Sequence, residues 1–560
     1  MRLANLDAVR RVGIFFFYDG DGVADETVST LLDGVQPHFE RTIVVVNGAL
    51  DEASRAAFEA RPGTELLQRE NQGFDSWAYK TAIEHIGWDG IAEIDELVLY
   101  NFTILGPVAS VDAMFADMDA RDLDFWGLTV HHGAPFDPWG LLETPTLPEH
   151  LQSHWIAVRA SMLQSAPFRR YWDELPPIPD YAHAVAKHEA RFTHHFASFG
   201  FRWEPFVDTA DLRQTTFYPL NSMPVELIRD RGCPIFKRKT LFAGIDSVID
   251  EHATGNAREL YRFLAASGRY DMGVLDRHLA RSADQRDVFE TMHEWRILAP
   301  SAASRPSTVA LVEASEGWEQ RVDAVRGADR IVLAGAPGTL AAIDAAAEVD
   351  LDGVELVSVR AHPLEALADA EESLAVLALA DGIPAELPGL DRDDRRADAL
   401  ESLGLPDRLA DAAAAFDDAA VGALVSAPAL QRGWFGELGH EADGATARLE
   451  LAANRLAIRA RSNAPVVPQA GTAIVRGAVA ASLGARIRDA AAELPQLSVD
   501  EWGRLLALAV QDAGLRPQVS ISARLAEQRL SVMQHQLRGL AGAVGRGVGE
   551  SYTQLLGRIR

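Results

Sequence analysis

Several short stretches of this sequence crowd together residue types that grip a charged, hydroxyl-rich ligand. Tyr18-Asp19-Gly20-Asp21-Gly22 offers a ring, two carboxylates and two glycines. The ring and a carboxylate can stack on a nucleobase and bond its imide or ribose, and glycine permits close backbone approach. Asp and Gly are equally the residues of an ordinary strand-to-helix turn. Arg69-Glu70-Asn71-Gln72-Gly73-Phe74-Asp75-Ser76-Trp77 is polar for most of its length. Asn71 and Asp75, either side of Gly73, suit sugar hydroxyls, while Asp75 or Ser76 also qualifies as the cap of a following helix. Tyr100-Asn101-Phe102-Thr103 carries the polar Asn101 but no carboxylate. Gln152, Ser153 and His154 can orient a sugar or an acceptor, although such a histidine also serves as a hydrogen-bonded structural residue. Lys237-Arg238-Lys239 holds two of the four lysines of the chain, a cationic loop able to neutralise a departing diphosphate or simply to sit in solvent. The pairs His131-His132 and His194-His195 point their rings in different directions from one element, which favours core or surface roles over a metal site.

The first three stretches need a scaffold, and the sequence supplies one. Apolar, β-branched or aromatic runs at Val12–Phe17, Thr42–Val46, Glu65–Gln68, Glu96–Tyr100 and Leu123–Thr129 alternate with helical patterns. Tyr79, Ala82, Ile83 and Ile86 place one apolar stripe on a helix between the third and fourth runs. This order predicts a parallel sheet covered by helices on both faces, with ligands outside the carboxyl ends of the strands. Tyr18 and Asn101 directly follow such runs, and Asn71 comes three residues after the end of another.

At 560 residues the chain exceeds one hydrophobic core. It is expected to form a nucleotide-sugar-binding domain over 1–245, a helical connector over 246–300 and a linker over 301–307. A second α/β domain over 308–521 and a basic helical tail over 522–560 complete it. The connector reads as helical from Ile245 to about Trp295. The second domain shows runs at Thr308–Glu313, Arg330–Ala334, Val354–Val359, Ser373–Leu379 and Gly422–Ser426, with no lysine. The tail combines Arg524, Arg529, Arg538, Arg546, Arg558 and Arg560 with few acids, and either packs on the body or meets an anionic surface. A net charge of −28 repels polyphosphate and disfavours nucleic acid as a partner. The lone Cys233 rules out an intrachain disulfide and fits a reducing compartment. Gly13–Phe17 reads as a strand rather than a signal peptide, and no apolar run is long enough to span a bilayer.

The motifs resemble the rhamnan synthesis protein F family of bacterial polysaccharide proteins. The matching elements are Phe17-Tyr18-Asp19, Arg69 to Asp75, Asn101 with Gly106-Pro107, Asp124-Phe125-Trp126-Gly127-Leu128-Thr129, His150 to Trp155, His188-Glu189, Gly200-Phe201 and Pro234 to Lys239. The second half resembles the family's C-terminal region more faintly, at Asp393-Asp394-Arg395, Val421 to Val425 and Val467 to Thr472. It has Ala378 to Ile383 where a basic, histidine-containing strand end is expected. The resemblance implies a GT-A-like, Rossmann-like first domain, a second degenerate glycosyltransferase-like domain and a cytoplasmic enzyme, peripheral at the inner face of the plasma membrane. It implies transfer of a deoxysugar, L-rhamnose from dTDP-L-rhamnose with inversion, to a lipid-linked or polymeric saccharide, alongside other polysaccharide-synthesis proteins. Inversion needs a carboxylate base; Glu189 is the candidate, with Asp75 the second catalytic carboxylate. Tyr18, Asp19, Asp21, Asn71, Gly73, Asn101, Gln152, Ser153, His154 and Lys237 to Lys239 would bind the nucleotide sugar. The family commonly has Asp where this chain has Phe102, so Mg²⁺ or Mn²⁺ is either absent or held by Asp19 and Asp21. The alternative is a catalytically weakened scaffold that binds sugar or a partner transferase.

Overall fold

The computed structural model describes residues 2–5, 8–242, 256–292, 295–301, 305–346, 351–380, 392–426, 446–460, 465–468, 471–528, 530, 531 and 534. They form two compact units, one over 1–278 with 290–292, the other over 279–289 with 293–560. The expected 301–307 linker and the segment 381–383 lie partly or wholly outside the described residues, as do Gln469, Ala470 and most of the tail. Among the described residues no helix is long and apolar enough to cross a membrane.

The strands of the first unit are β1 (Arg11–Phe17), β2 (Arg41–Asn47), β3 (Thr64–Arg69), β4 (Glu96–Asn101), β5 (Ile104–Leu105), β6 (Phe125–Gly127), β7 (Val130–His131), β8 (His150–Leu151), β9 (Trp155–Arg159), β10 (Trp203–Pro205) and β11 (Phe236–Lys237). Seven of these form one sheet, ordered β10-β6-β9-β4-β1-β2-β3. All neighbours run parallel except β9, which is antiparallel to β4 and β6. Side-chain alternation sends Phe15, Phe17, Val44 and Val98 to one face and Ile14, Phe16, Val45 and Leu99 to the other. Both faces are therefore cores, as parallel strands require. The helices α1 (Glu26–Val35), α2 (Glu52–Glu59) and α3 (Phe74–Ile91) follow β1, β2 and β3, each crossing over to the next parallel strand. Tyr79, Ala82 and Ile83 of α3 are buried, as their spacing predicts.

One sequence expectation is corrected here. The fifth run shrinks to β6, because Leu128 and Thr129 leave the ladder to bond Val207 and Gln152. The stretch that reads as helical from Ile245 to about Trp295 holds, among the described residues, the helices Asn256–Ser267, Met272–Ser282 and Gln285–Met292, and then a strand; residues 243–255 lie outside the described set. Gly268 and Ser282-Ala283 interrupt the helical pattern.

The second unit holds β12 (Trp295–Ile297), β13 (Thr308–Glu313), β14 (Arg330–Gly335), β15 (Val354–Ser358), β16 (Leu374–Ala378), β17 (Val421–Ser426), β18 (Thr472–Arg476) and β19 (Arg516–Ile521). Its sheet runs β12-β19-β17-β18-β16-β13-β14-β15, with β18 antiparallel to its neighbours. Apart from the added β12, strand order and directions repeat those of the first unit: β13 to β16 stand for β1 to β4, and β17, β18 and β19 for β6, β9 and β10. The two units are the same α/β topology built twice. In the tail, residues 523–528 are helical, and Arg524 pairs with Asp398 at 2.7 Å and with Glu401.

The first sheet carries a buried charge cluster. Glu96, fully buried, receives Arg11 Nε at 2.6 Å, Arg159 Nε at 3.3 Å and Trp126 Nε1 at 2.8 Å. Arg11 also reaches Asp119 at 2.6 Å. Removing the shared anion strands two guanidinium groups out of water. Glu96→Ala should therefore cost about 3–5 kcal/mol in urea unfolding of the full chain, and Glu96→Gln, which keeps hydrogen-bond acceptance but not charge, less. Wild-type stability in Glu96→Ala would contradict the assignment.

Candidate functional site

A cavity of about 1330 Å³ opens at the carboxyl ends of β1, β3 and β4. Tyr18, Asn71 to Asp75 and Asn101 to Thr103 all reach it, so the loops after three strands share one cleft. Gln152, Ser153, Glu189 and Lys237 to Lys239 line it as well.

Local backbone explains how Asp75 gets there. Gly73, at φ +72°, turns the chain into α3, and a Cβ on it would lie 2.4 Å from the Trp77 ring. Phe74 follows at φ +54°, a left-handed conformation rarely taken by a bulky residue. Asp75 then sits in the first helical turn. Glu189 closes a wide π turn, Val185–Glu189, in which Ala190 N–H bonds the carbonyl of Val185. That turn lies between the helical segments Tyr181–Ala184 and Ala190–Ser198, and such turns concentrate at functional sites.

One hydroxyl connects the two carboxylates. Ser153 Oγ is 2.8 Å from Asp75 Oδ2 and 2.7 Å from Glu189 Oε2, and Ser153 N–H donates to the same glutamate oxygen at 3.0 Å. Asn101 Nδ2 donates to Asp75 Oδ2 at 3.1 Å, and Asn101 Oδ1 accepts from Thr103 N and Oγ1. Lys237 Nζ donates to Thr103 Oγ1 at 2.8 Å, which carries the network to the cationic loop. A short antiparallel pair, β5 with β11, holds that loop, and Arg238 N–H bonds the Thr103 carbonyl.

His150 stands behind Glu189, with Nε2 3.7 Å from Oε1. That distance is too long for a hydrogen bond. Its Nδ1 lies 2.8 Å from the Pro148 carbonyl and must donate there, and its ring stacks on His131 at 5.1 Å.

Burial pushes the Asp75 carboxyl up to about 6, with Glu189 adding to it against the opposing pull of Ser153 and Lys237. Burial also opposes ionisation of Glu189, but His150, Ser153 and Lys237 outweigh it and hold its carboxyl below the usual carboxylate range. Lys237 is lowered to about 8, by burial first and then by Lys239 and Arg238.

Three expected residues are not gathered in. Asp19 Oδ1 accepts from the backbone of Asp21 and Val23 at 3.1 Å, which makes it the cap of its own turn. Neither Asp19 nor exposed Asp21 lines the cavity, and no group of three His, Cys, Asp or Glu side chains fit for a metal ion occurs among the described residues. The residues present do not fit a divalent ion held by Asp19 and Asp21. Phe102 instead packs edge-on against Phe16, Phe17 and Tyr18, with the Arg238 guanidinium 5.1 Å over its ring. His154 is buried with both ring nitrogens unpartnered, and burial holds it far below the ordinary histidine range; it belongs to the core. His150, His131 and Thr103 were not singled out as site residues. His150 stood in the motif, two positions before Gln152, but only the pairing of β7 with β8 and the π turn show that it meets Glu189.

Among the described residues of the second unit, a side chain joins the ends of β13 and β16. Glu313, at the end of β13, accepts from Ala380 N–H at 2.8 Å just beyond β16. Arg321 bonds the carbonyls of Glu313, Ser315 and Glu316. The strand ends corresponding to those of Tyr18 and Asn101 are thereby tied together.

Residues 42–311 match the family model described as rhamnan synthesis protein F. No curated protein matches the chain. Among solved structures, a 4-diphosphocytidyl-2C-methyl-D-erythritol synthase is 16% identical over 40% of this chain and 99% of its own, with a TM-score of 0.24. Glucosyl-3-phosphoglycerate synthase from Mycobacterium tuberculosis, solved with Mn²⁺, UDP and phosphoglyceric acid, is 11% identical over 28% and 57%, with a TM-score of 0.18. A nucleotide-diphospho-sugar transferase from Desulfovibrio desulfuricans G20, so described provisionally, is 15% identical over 40% and 98%, with a TM-score of 0.21. Likenesses this distant do not bear on the activity of this chain.

The raised carboxyl of Asp75 links the site to stability. Its pKa is above the unfolded value, so it favours the folded state at low pH and loses that contribution as pH rises toward about 6. Asp75→Asn should therefore raise stability at pH 7.5 by on the order of 1–2 kcal/mol, with the gain gone near pH 4. Denaturant titrations at the two pH values check this; a gain that does not change with pH would contradict it.

Proposed function

We propose that this chain is a glycosyltransferase that moves a deoxysugar, L-rhamnose from dTDP-L-rhamnose with inversion, onto a growing cell-surface polysaccharide. One observation carries the reading: a single cavity joins a serine-bridged, half-buried carboxylate pair to a loop of three cations. Inverting transfer from a sugar diphosphate asks for those two things, a proton acceptor and a stabiliser of the departing diphosphate. The match of residues 42–311 to the rhamnan synthesis protein F model supports the same class of reaction. A cytoplasmic location, peripheral at the inner face of the membrane, fits a lipid-linked acceptor.

In this reading Tyr18 and Asn71 take the nucleoside end of the donor and Lys237, Arg238 and Lys239 take the diphosphate. Phe102 supports the loop by seating Arg238. The cationic loop meets the charge that a divalent ion would otherwise meet. The acceptor oxygen attacks the anomeric carbon as the bond from that carbon to the diphosphate oxygen breaks, and dTDP leaves with the electron pair. The hydroxyl proton passes to a carboxylate. Glu189 is the base expected from sequence, but the electrostatics favour Asp75, whose pKa near 6 is matched to neutral operation. Glu189, held ionised, is then the fixed charge that raises the proton affinity of Asp75, and Ser153 couples them. Gln152 orients the sugar.

A scaffold role for the second unit is favoured by Glu313, whose carboxylate at the end of β13 is already engaged by the Ala380 N–H. If the whole chain were a scaffold, wild-type protein would release no dTDP.

Release of dTDP from dTDP-L-rhamnose with a rhamnosylated acceptor is the test. Asp75→Asn should lower kcat by about 10²–10⁴ and remove the acid limb near pH 6 from the kcat profile. Lys237→Met should weaken dTDP binding, and EDTA should leave that binding unchanged. Wild-type-like turnover in Asp75→Asn, or abolition of dTDP binding by EDTA, would contradict these roles.

A further inference from the structure

The cavity is larger than its donor requires. Pockets that hold one small ligand span roughly 300–1,000 Å³, against about 1330 Å³ here. Its lining also divides by chemistry. The residues assigned to the donor are polar, whereas Phe74, Trp77, Trp139, Ile178 and Tyr181 give an aromatic and aliphatic wall. Tyr181 is 62% exposed and Phe74 38%, high values for rings in a folded protein.

The wall is built from the same elements as the carboxylates. Phe74 and Trp77 flank Asp75 at the start of α3. Tyr181 begins the helical segment that runs through the π turn to Glu189. Trp77 Nε1 donates to the Pro176 carbonyl at 3.0 Å, which pins the Pro177-Ile178-Pro179 loop to α3. Lys80, 5.5 Å over the Trp77 ring, bonds the carbonyls of Trp172 and Asp173 and fixes the same junction.

We propose that this wall is the acceptor subsite and that its ligand is a pyranoside, which lays its apolar C–H face on the Tyr181 ring and presents a hydroxyl to the carboxylate pair. The inference rests on the transferase reading. A sugar fits better than the isoprenoid of a lipid carrier, because the group beside Asp75 and Glu189 must bear the reacting hydroxyl. Aromatic faces carry partial negative charge and attract the weakly positive C–H groups of a sugar ring. The exposed tyrosine is the specificity element, acting through its ring rather than its hydroxyl.

Saturation-transfer NMR on the full chain with saturating dTDP, using methyl α-L-rhamnopyranoside as probe, tests the assignment. Wild-type protein should saturate the sugar ring protons. Tyr181→Ala should cut the effect by about fivefold, the weight of one aromatic contact, while Tyr181→Phe keeps it within about twofold. Calorimetric dTDP affinity should stay within about twofold in both variants, which shows that the fold and donor site survive. Undiminished saturation in Tyr181→Ala, equal loss in Tyr181→Phe, no saturation in wild type, or displacement of the sugar by farnesyl phosphate would each overturn the proposal. Wild-type protein that saturates the glycoside but does not bind dTDP would uphold the platform and sink the donor reading instead.

Discussion

Two carboxylates held against one serine hydroxyl are the constraint around which the first unit is arranged. Ser153 has a single proton to share between Asp75 Oδ2 at 2.8 Å and Glu189 Oε2 at 2.7 Å. Like charges this close in a half-buried setting repel, and the pair persists only with compensation from outside. His150 behind Glu189 and Lys237 across the cavity supply it. Their unequal distribution separates the two proton affinities, so that one carboxylate stays ionised and the other titrates near neutrality. A base and a fixed charge arise from chemically similar side chains because their surroundings differ.

Architecture brings these groups together from distant parts of the chain. The parallel order of β1 to β4 brings three loops to one rim, and the antiparallel β9 begins just after Ser153. The β5–β11 pair ties Lys237 to the Asn101–Thr103 loop. The second unit repeats the same strand order with a different result. Glu313, at the end of β13, spends its carboxylate on the backbone N–H of Ala380. The same topology thus carries different side-chain chemistry at corresponding strand ends, as expected when function resides in side chains placed on a fold rather than in the fold itself.

Much of this was legible in the sequence, for identifiable reasons. The apolar runs at Val12–Phe17 and Glu96–Tyr100 are long and β-branched or aromatic, so the strands and the loops after them could be placed, and Tyr18, Asn71 to Asp75 and Asn101 do meet. The Asp19 and Asp21 pair misled because a carboxylate that caps its own turn has the same sequence signature as one waiting for a ligand. His154 misled in a similar way, since polar character alone does not reveal that the turn before β9 buries it. His150 went unrecognised because its role depends on a two-residue hairpin and a π turn, neither of which leaves a periodic signal. Strands β18 and β19 were missed among alanine-rich, helix-favouring neighbours, where the pairing partners decide conformation more than local propensity does.

The central claim is that the rim of the first sheet encloses a sugar diphosphate. A crystal structure of the full chain soaked with dTDP tests it most directly. The account predicts the base against Tyr18 and the diphosphate oxygens within hydrogen-bond reach of Lys237, Arg238 and Lys239, with the Asp75, Ser153 and Glu189 network intact. Density for dTDP at the strand ends of the second unit, or on a surface away from that loop, would contradict it.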